Sequence, residues 1–201
     1  MTITRTGPLT KDPHSVALGL AQIRVGASAS NIALIEPVLV SSDSIGAMAS
    51  TKYTGKADFW KLESGFPMLE DLTIPIREAS LLECVFKEIT IANLALARGL
   101  DPSLLDEYDT SIALGSLASP AFVRMEAIYT FPDKLTQMVI IFPRANITSS
   151  TELDFKTEDA AGVPITFESK RADSGLESGG NAVWNDMPLG TIVFLTGVDM
   201  V

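Results

Sequence analysis

One histidine, His14, stands in KDPHSV near the start of the 201-residue chain, and one cysteine, Cys84, stands in LLECVFKEI. These two residues bound the chemistry. A Ser-His-Asp or Cys-His nucleophile system has only His14 to use, in a segment that reads as an arm or turn. One imidazole and one thiol are too few nitrogen and sulfur ligands for zinc. Cys84 lies among apolar residues, which suits a buried structural thiol rather than a nucleophile. The carboxylates gather twice, as Asp106, Glu107 and Asp109 in LLDEYDT and as Glu158 and Asp159 in KTEDAAG. Neither group has the D-x-[DN]-x-[DN]-G spacing of a calcium loop, so both read as solvated acidic loops. The glycine-rich SGLESGGNAVW (174–184) lacks the G-K-[ST] ending of a phosphate loop and reads as a mobile loop. The residue types therefore predict no catalytic residue, no cofactor and no required metal.

The charge is −10, and it is lopsided. Residues 1–100 carry 10 acids and 9 Lys/Arg (9 − 10 = −1); residues 101–201 carry 15 acids and 6 Lys/Arg (6 − 15 = −9). Nucleic-acid binders grip phosphate with clustered Lys/Arg, the opposite pattern. Mean hydropathy is +0.26, high for a soluble monomer. A membrane span is one account of it, but the most apolar long window, 25–42, contains Glu36 and Pro37. The opening MTITRTGPLTKDPHSV has no basic run followed by an apolar one, so no secretory leader and no membrane insertion are expected. Burial against further copies of the chain is the better account of the surplus apolar content.

Hydrophobic periodicity then places the elements. Residues 1–15 read as an arm, and residues 16–201 as a single β domain with a long loop at 42–57. Ile23 and Val25 flank Arg24 in a short strand. ALIEPVLVSS (33–42) reads as a strand broken at Pro37, and DFWKLES (58–64) as a short aromatic strand. Leu72, Ile74 and Ile76 alternate with polar residues as a half-buried strand; Leu82, Cys84 and Phe86 share one face of the next. Thr90 is an N-cap, Ile91, Leu94 and Ala95 form a helix face, and Gly99 ends that helix. Val123, Met125, Ala127, Tyr129 and Phe131 line one face of a strand that turns at PDKL into TQMVIIFPRANI. TELDFKT (151–157), VPITFESK (163–170) and TIVFL (191–195) complete the set, with Leu153, Phe155, Val163, Ile165 and Phe167 inward. The result is a mostly β (α+β), mostly antiparallel domain with one short flanking α-helix, β-sandwich-like in architecture.

The order of these features resembles the tail-tube (major tail) proteins of long-tailed bacteriophages. The resemblance rests on ALGLAQIRVGA after an arm, a long loop, DFWKLESGFP, then TIPIREASLLECVFKEIT joined directly to IANLALARGLD. It continues through FVRMEAIYTFPD, MVIIFPRANI, TEDAAGVPITFESKRAD and a final TIVF, over most of residues 16–195. It implies two packed antiparallel sheets, the tail-tube fold, in homohexameric rings that stack into a tube. Virion tail proteins of other kinds (tape measure, terminator, baseplate or tip) are the implied partners. DNA passes through without specific binding, and the protein resides in the virion tail after assembly in the host cytoplasm.

Within that picture the strand alternation sends Glu126, Glu152, Asp154 and Glu168 away from the core as candidate lumen-facing acids. Tyr53, Phe59 and Trp60 are candidates for an inter-subunit or inter-ring loop. The arm and the loop at 42–57 are expected to order at ring interfaces. Other readings are a tail terminator, a capsid decoration protein, and an inner-tube protein of contractile tails or type VI secretion. From other classes come a β-sandwich binding module, which needs an exposed aromatic face, and a carboxylate enzyme, which needs convergent acids in a cleft.

Overall fold

A computed structural model describes residues 19, 21–66, 68–100, 111–112, 120–148 and 162–196. The predicted arm, the LLDEYDT and KTEDAAG acids and the strand expected at 151–157 lie outside the described residues. The elements in chain order are β1 (Gln22–Ala27), α1 (Ser28–Asn31), β2 (Met48–Ser64), β3 (Leu69–Phe86), α2 (Ile91–Ala97), β4 (Val123–Thr130), β5 (Thr136–Ile147), β6 (Val163–Ser169) and β7 (Thr191–Thr196). The fold is thus mostly antiparallel β, as the periodicity predicts.

The ladder runs β1-β4-β5-β6-β3-β2, and β7 pairs with β5. β5 changes partners along its length. Its first half, Thr136–Ile141, pairs with β7; its end, Ala145–Ile147, pairs with β6. Pro143, which has no N–H to give, sits at the change, and the β4–β5 register shifts between Val123 and Met125. All seven strands belong to one sheet, in which β5 serves β7 and then β6 along the same edge. The ladder folds over one core, in which Ile23, Met125 and Phe142 from β1, β4 and β5 meet Leu82, Phe86 and Phe167 from β3 and β6.

The alternation read from sequence sets this core. Val123, Met125 and Ala127 are buried, as are Leu82, Cys84 and Phe86, and Val163, Ile165 and Phe167. Burying each large side chain stabilises by about 1.5–3 kcal/mol, and a one-residue slip would turn the whole set outward. At the β4–β5 turn Lys134 adopts φ 58°, while Asp133 accepts from the Leu135 and Thr136 backbone N–H groups, both at 3.0 Å.

The helix caps also match. Asn93 N donates to Thr90 Oγ1 at 3.1 Å. At the other end Gly99 takes φ 73°, its N–H reaches Leu96 O at 2.8 Å, and Leu100 N reaches Ala95 O at 2.9 Å. That pair of bonds is the Schellman arrangement. The buried face differs from the predicted one: Asn93, Ala95, Leu96 and Ala97 are buried, whereas Ile91 and Leu94 are half-buried. Asn93 sets the rotation, because its amide donates to Ile45 O at 2.9 Å and Glu88 O at 2.8 Å.

Three segments depart from the sequence reading. Residues 33–40 form no strand; they are an irregular strap across the outer face of β1 and β4. The expected loop at 42–57 ends at Ala47, because β2 starts at Met48 and runs unbroken through the aromatic 58–64 segment. Its core-side residues Met48, Thr51 and Tyr53 are only partly covered, and a register shift between Met48 and Ser50 breaks their alternation, so no clear period marks the strand. The glycine-rich 174–184 segment is pinned: Ser174 N donates to Asn185 Oδ1 at 3.0 Å, and Trp184 is fully buried.

Candidate functional site: a projecting ribbon and an open groove

β2 and β3 pair along their whole lengths, but β6 meets β3 only from Leu81 to Phe86. Residues 55–66 and 68–79 therefore leave the body as a two-stranded ribbon. Ten residues, Gly55–Ser64, reach roughly 34 Å at about 3.4 Å each. Cross-strand partners share a face, so the register defines the two sides. Trp60↔Ile74 and Leu62↔Leu72 stand on one side; Lys61↔Thr73 and Glu63↔Glu70 stand on the other. The outer part of the ribbon is thus amphipathic. Lys61 Nζ pairs with Glu70 Oε2 at 2.5 Å, and Thr73 also donates to Glu70. Those donors hold the Glu70 carboxyl below its usual pKa, the Lys61 bond first.

The apolar side has no cover among the described residues: Trp60 is 48% exposed, with Leu62, Leu72 and Ile74 similar. Leu72, Ile74 and Ile76, expected to be half-buried, are exposed for this reason. An isolated two-stranded hairpin is at best marginally stable in water. Two register shifts, at Asp58/Phe59 and Leu62/Glu63, interrupt the ladder; Pro75 sits beside the first, where β3 has no second neighbour. The three residues predicted for an inter-subunit loop all lie on β2. Phe59 and Trp60 are on the projecting part, and Tyr53 is at its root, 6.4 Å from the Phe142 ring centroid.

The second feature lies on the outer face of β1, β4, β5 and β7. Arg124 and Glu126 are adjacent residues of that face, each 0% exposed. Arg124 Nε donates to Glu126 Oε1 at 2.8 Å. Its remaining donors reach Asn31 O at 2.8 Å, Leu34 O at 2.6 Å and Glu36 O at 2.7 Å. Glu126 accepts from Val38 N at 3.0 Å and Leu39 N at 3.2 Å. The pair satisfies five backbone groups, four on the strap and Asn31 O at the end of α1, and so fastens the strap to the sheet. Gly26 makes room beneath it, since a Cβ there would stand 2.6 Å from Leu39 Cδ2. Further along the same face, Trp184 covers Ile128, Val139 and Ile141, and its indole N–H donates to Ile32 O at 2.6 Å.

Between strap and sheet a groove of about 780 Å3 stays open. Ile35, Val38 and Val40 line it from the strap, and Ile128, Val193 and Leu195 from the sheet. Arg24 stands at its side. Its guanidinium donates to Leu39 O at 2.6 Å, Gln22 Oε1 at 3.0 Å and Ser41 Oγ at 3.4 Å, all neutral acceptors.

These placements correct the candidate acids. Glu126 does turn to the face opposite the core, as alternation requires, but the strap buries it there, so it faces no channel. Covering by an irregular segment has no period in sequence and was invisible to that argument. Glu152 and Asp154 lie outside the described residues. Glu168 stands half-buried on the outer face of β6, with Lys170 Nζ 2.7 Å from its Oε1. On the same face Glu83 pairs with Lys52 at 3.2 Å. Both acids are locally neutralised, which weakens any field they project.

Cys84 is buried, and burial pushes its thiol up to about 12. The expected result is inertness to a thiol-specific reagent at pH 8 until the chain is unfolded by denaturant; prompt reaction of the folded protein would contradict the burial. The unfolded thiol ionises first, near pH 9, so the unfolded chain binds fewer protons above that pH. Stability falls as pH climbs from about 9 towards 12. Among the described residues no three His, Cys, Asp or Glu side chains gather to hold a metal, and no helix is long and apolar enough to cross a membrane.

No protein-family profile matches the chain, and no curated protein does. Solved structures with a similar arrangement include a chain from the C6-symmetric tail of an empty gene transfer agent particle, at 9% identity and a TM-score of 0.42. They also include a chain from the virion of the native gene transfer agent particle, at 10% identity and a TM-score of 0.39. Each match covers 76% of this chain and 92% of the other. At these scores the likeness is one of strand arrangement and says nothing by itself about what this chain does.

Proposed function

We propose that this chain is a structural subunit of a phage-type tail tube, assembling as hexameric rings that stack into a conduit for DNA. One observation carries the reading: a ribbon of about 34 Å whose apolar side, Trp60, Leu62, Leu72 and Ile74, has no partner among the described residues. Exposed apolar surface of that extent marks an interaction site, and the same ribbon also exposes Phe59, Phe66, Met68, Leu69 and Ile76. Among the described residues β2 and β7 each have one hydrogen-bonded neighbour, leaving strand edges for lateral contact. The resemblance to tail-tube proteins supplies the class of assembly that such edges and projections serve. Phe59 and Trp60 belong to the contact between copies, with Tyr53 bracing the ribbon at its root. Of the candidate channel-facing acids, Glu168 is the one whose described position suits a solvent-lined wall.

Sedimentation of the purified protein over a range of concentrations, with negative-stain microscopy, tests the reading. Six-fold rings or tubes are expected at high concentration. A discrete monomer or dimer at every concentration sinks it and favours the binding-module reading.

A further inference from the structure

We propose that the cleft at the root of the ribbon is a binding site for a primary alkylammonium, the chemistry of a lysine side chain or of a free aliphatic amine. The cleft, about 270 Å3, lies between the base of β2 and β3 and the 186–190 loop that leads into β7. Sites for drug-sized ligands hold about 300–1,000 Å3, so this one suits a single slender chain. Buried Phe142 and exposed Tyr53 and Ile192 give it an apolar part. Glu78 lines it from β3 and Asp186 from the loop; among the described residues no Lys or Arg does. The cleft therefore carries two negative charges with no base to offset them. Glu70, Glu83, Glu168 and Asp173 each pair with a Lys or Arg, whereas Glu78 and Asp186 pair with none among the described residues. Ser80, only 8% exposed, also lines the cleft. Its Oγ has Tyr53 Oη at 3.5 Å, longer than the roughly 2.5–3.0 Å of a full O–H···O bond, so the hydroxyl keeps capacity for a further partner.

An alkylammonium matches each part. Its nitrogen only donates, and the cleft offers two carboxylates and two hydroxyls as acceptors. Its methylenes suit Phe142 and Ile192, and the Tyr53 ring attracts a cation. A bare inorganic cation makes no use of the apolar part, and an anion is repelled. Because the carboxylates come from two elements, an occupant also ties the ribbon root to the loop before β7.

Saturation-transfer difference NMR on n-butylammonium at pH 7 and constant ionic strength tests the site, and it reads binding to free and assembled protein alike. Saturable binding is expected, with methylammonium weaker by about threefold or more because it lacks the chain. Glu78→Gln/Asp186→Asn should weaken binding by about 10-fold or more. Both positions are exposed, so the thermal melt of that variant should match wild type. Measurement below and above the onset of self-association separates the two sources. Binding lost on association assigns the site to a lysine of a second copy, and a carbodiimide should then join Glu78 or Asp186 to a lysine of another copy. Binding retained in both states assigns it to a free amine, and spermidine should compete with butylammonium. No saturable binding below the onset overturns the proposal, as does binding undiminished in the double variant. Neither arm requires six-fold rings, so failure here leaves the tube reading standing.

Discussion

Arg124→Met is expected to cost about 3–5 kcal/mol of folding stability. The substitution leaves Glu126 buried without its cation, and it strips the hydrogen-bond donors from the carbonyls of Asn31, Leu34 and Glu36. Against a typical total of about 5–15 kcal/mol, that is a large fraction. The double variant Arg124→Met/Glu126→Leu sharpens the test. Replacing a buried ion pair by apolar residues is often neutral, because the pair's own desolvation cost vanishes with it. Here the strap remains, with three carbonyls and the N–H groups of Val38 and Leu39 left without partners. The double variant should therefore stay well below wild type in urea denaturation. A double variant as stable as wild type would mean that the pair does not fasten the strap. The same reasoning bears on any Glu126→Lys change: it sets two cations side by side in a dry site, so it tests folding and not channel charge.

Trp184→Ala should cost a similar amount, about 3–5 kcal/mol, by opening a cavity over Ile128, Val139 and Ile141. Trp184→Phe keeps most of the volume and loses the indole donor to Ile32 O, so its cost should be smaller. The two sites meet where α1 leads into the strap, since Trp184 holds Ile32 while Arg124 holds Asn31 and Leu34. A double-mutant cycle between Trp184→Phe and Arg124→Met should accordingly be non-additive by half a kcal/mol or more, about the smallest coupling expected of groups in one network. Additive losses would show that the loop and the ion pair hold the strap independently. A cost below about 1 kcal/mol for Trp184→Ala would show that the 170–190 loop peels away at little expense.

The parts of the fold that were legible in sequence share one property. Wherever a strand buries one side and leaves the other to solvent or to a cover, period 2 appears in the residues, as at Val123-Met125-Ala127 and Val163-Ile165-Phe167. The α2 caps were legible because Thr90 and Gly99 act within a few residues of themselves. The ribbon was half legible. Its aromatic segment and Pro75 signalled an edge, but over 48–57 the core-side residues Met48, Thr51 and Tyr53 are only partly covered and a register shift breaks their alternation, so a strand was read as a loop. The strap was misread because Pro37 and its apolar neighbours look like a broken strand, whereas the side chains that fix its path come from β4, about ninety residues later.

By itself, then, the sequence determined the alternating core, the helix ends and the surplus of apolar side chains that needs partners. It also determined the scarcity of histidine and cysteine that starves nucleophile and zinc chemistry. These follow from residue type and short-range spacing, which act locally. Only the tertiary structure decided that Glu126 is a buried fastener, that Trp184 is core while Trp60 is exposed, and that an apolar groove stays open beside Arg24. Those outcomes depend on which distant backbone groups come to lie across a sheet face, and hydrogen-bond partners separated by about ninety residues or more leave no period in the chain.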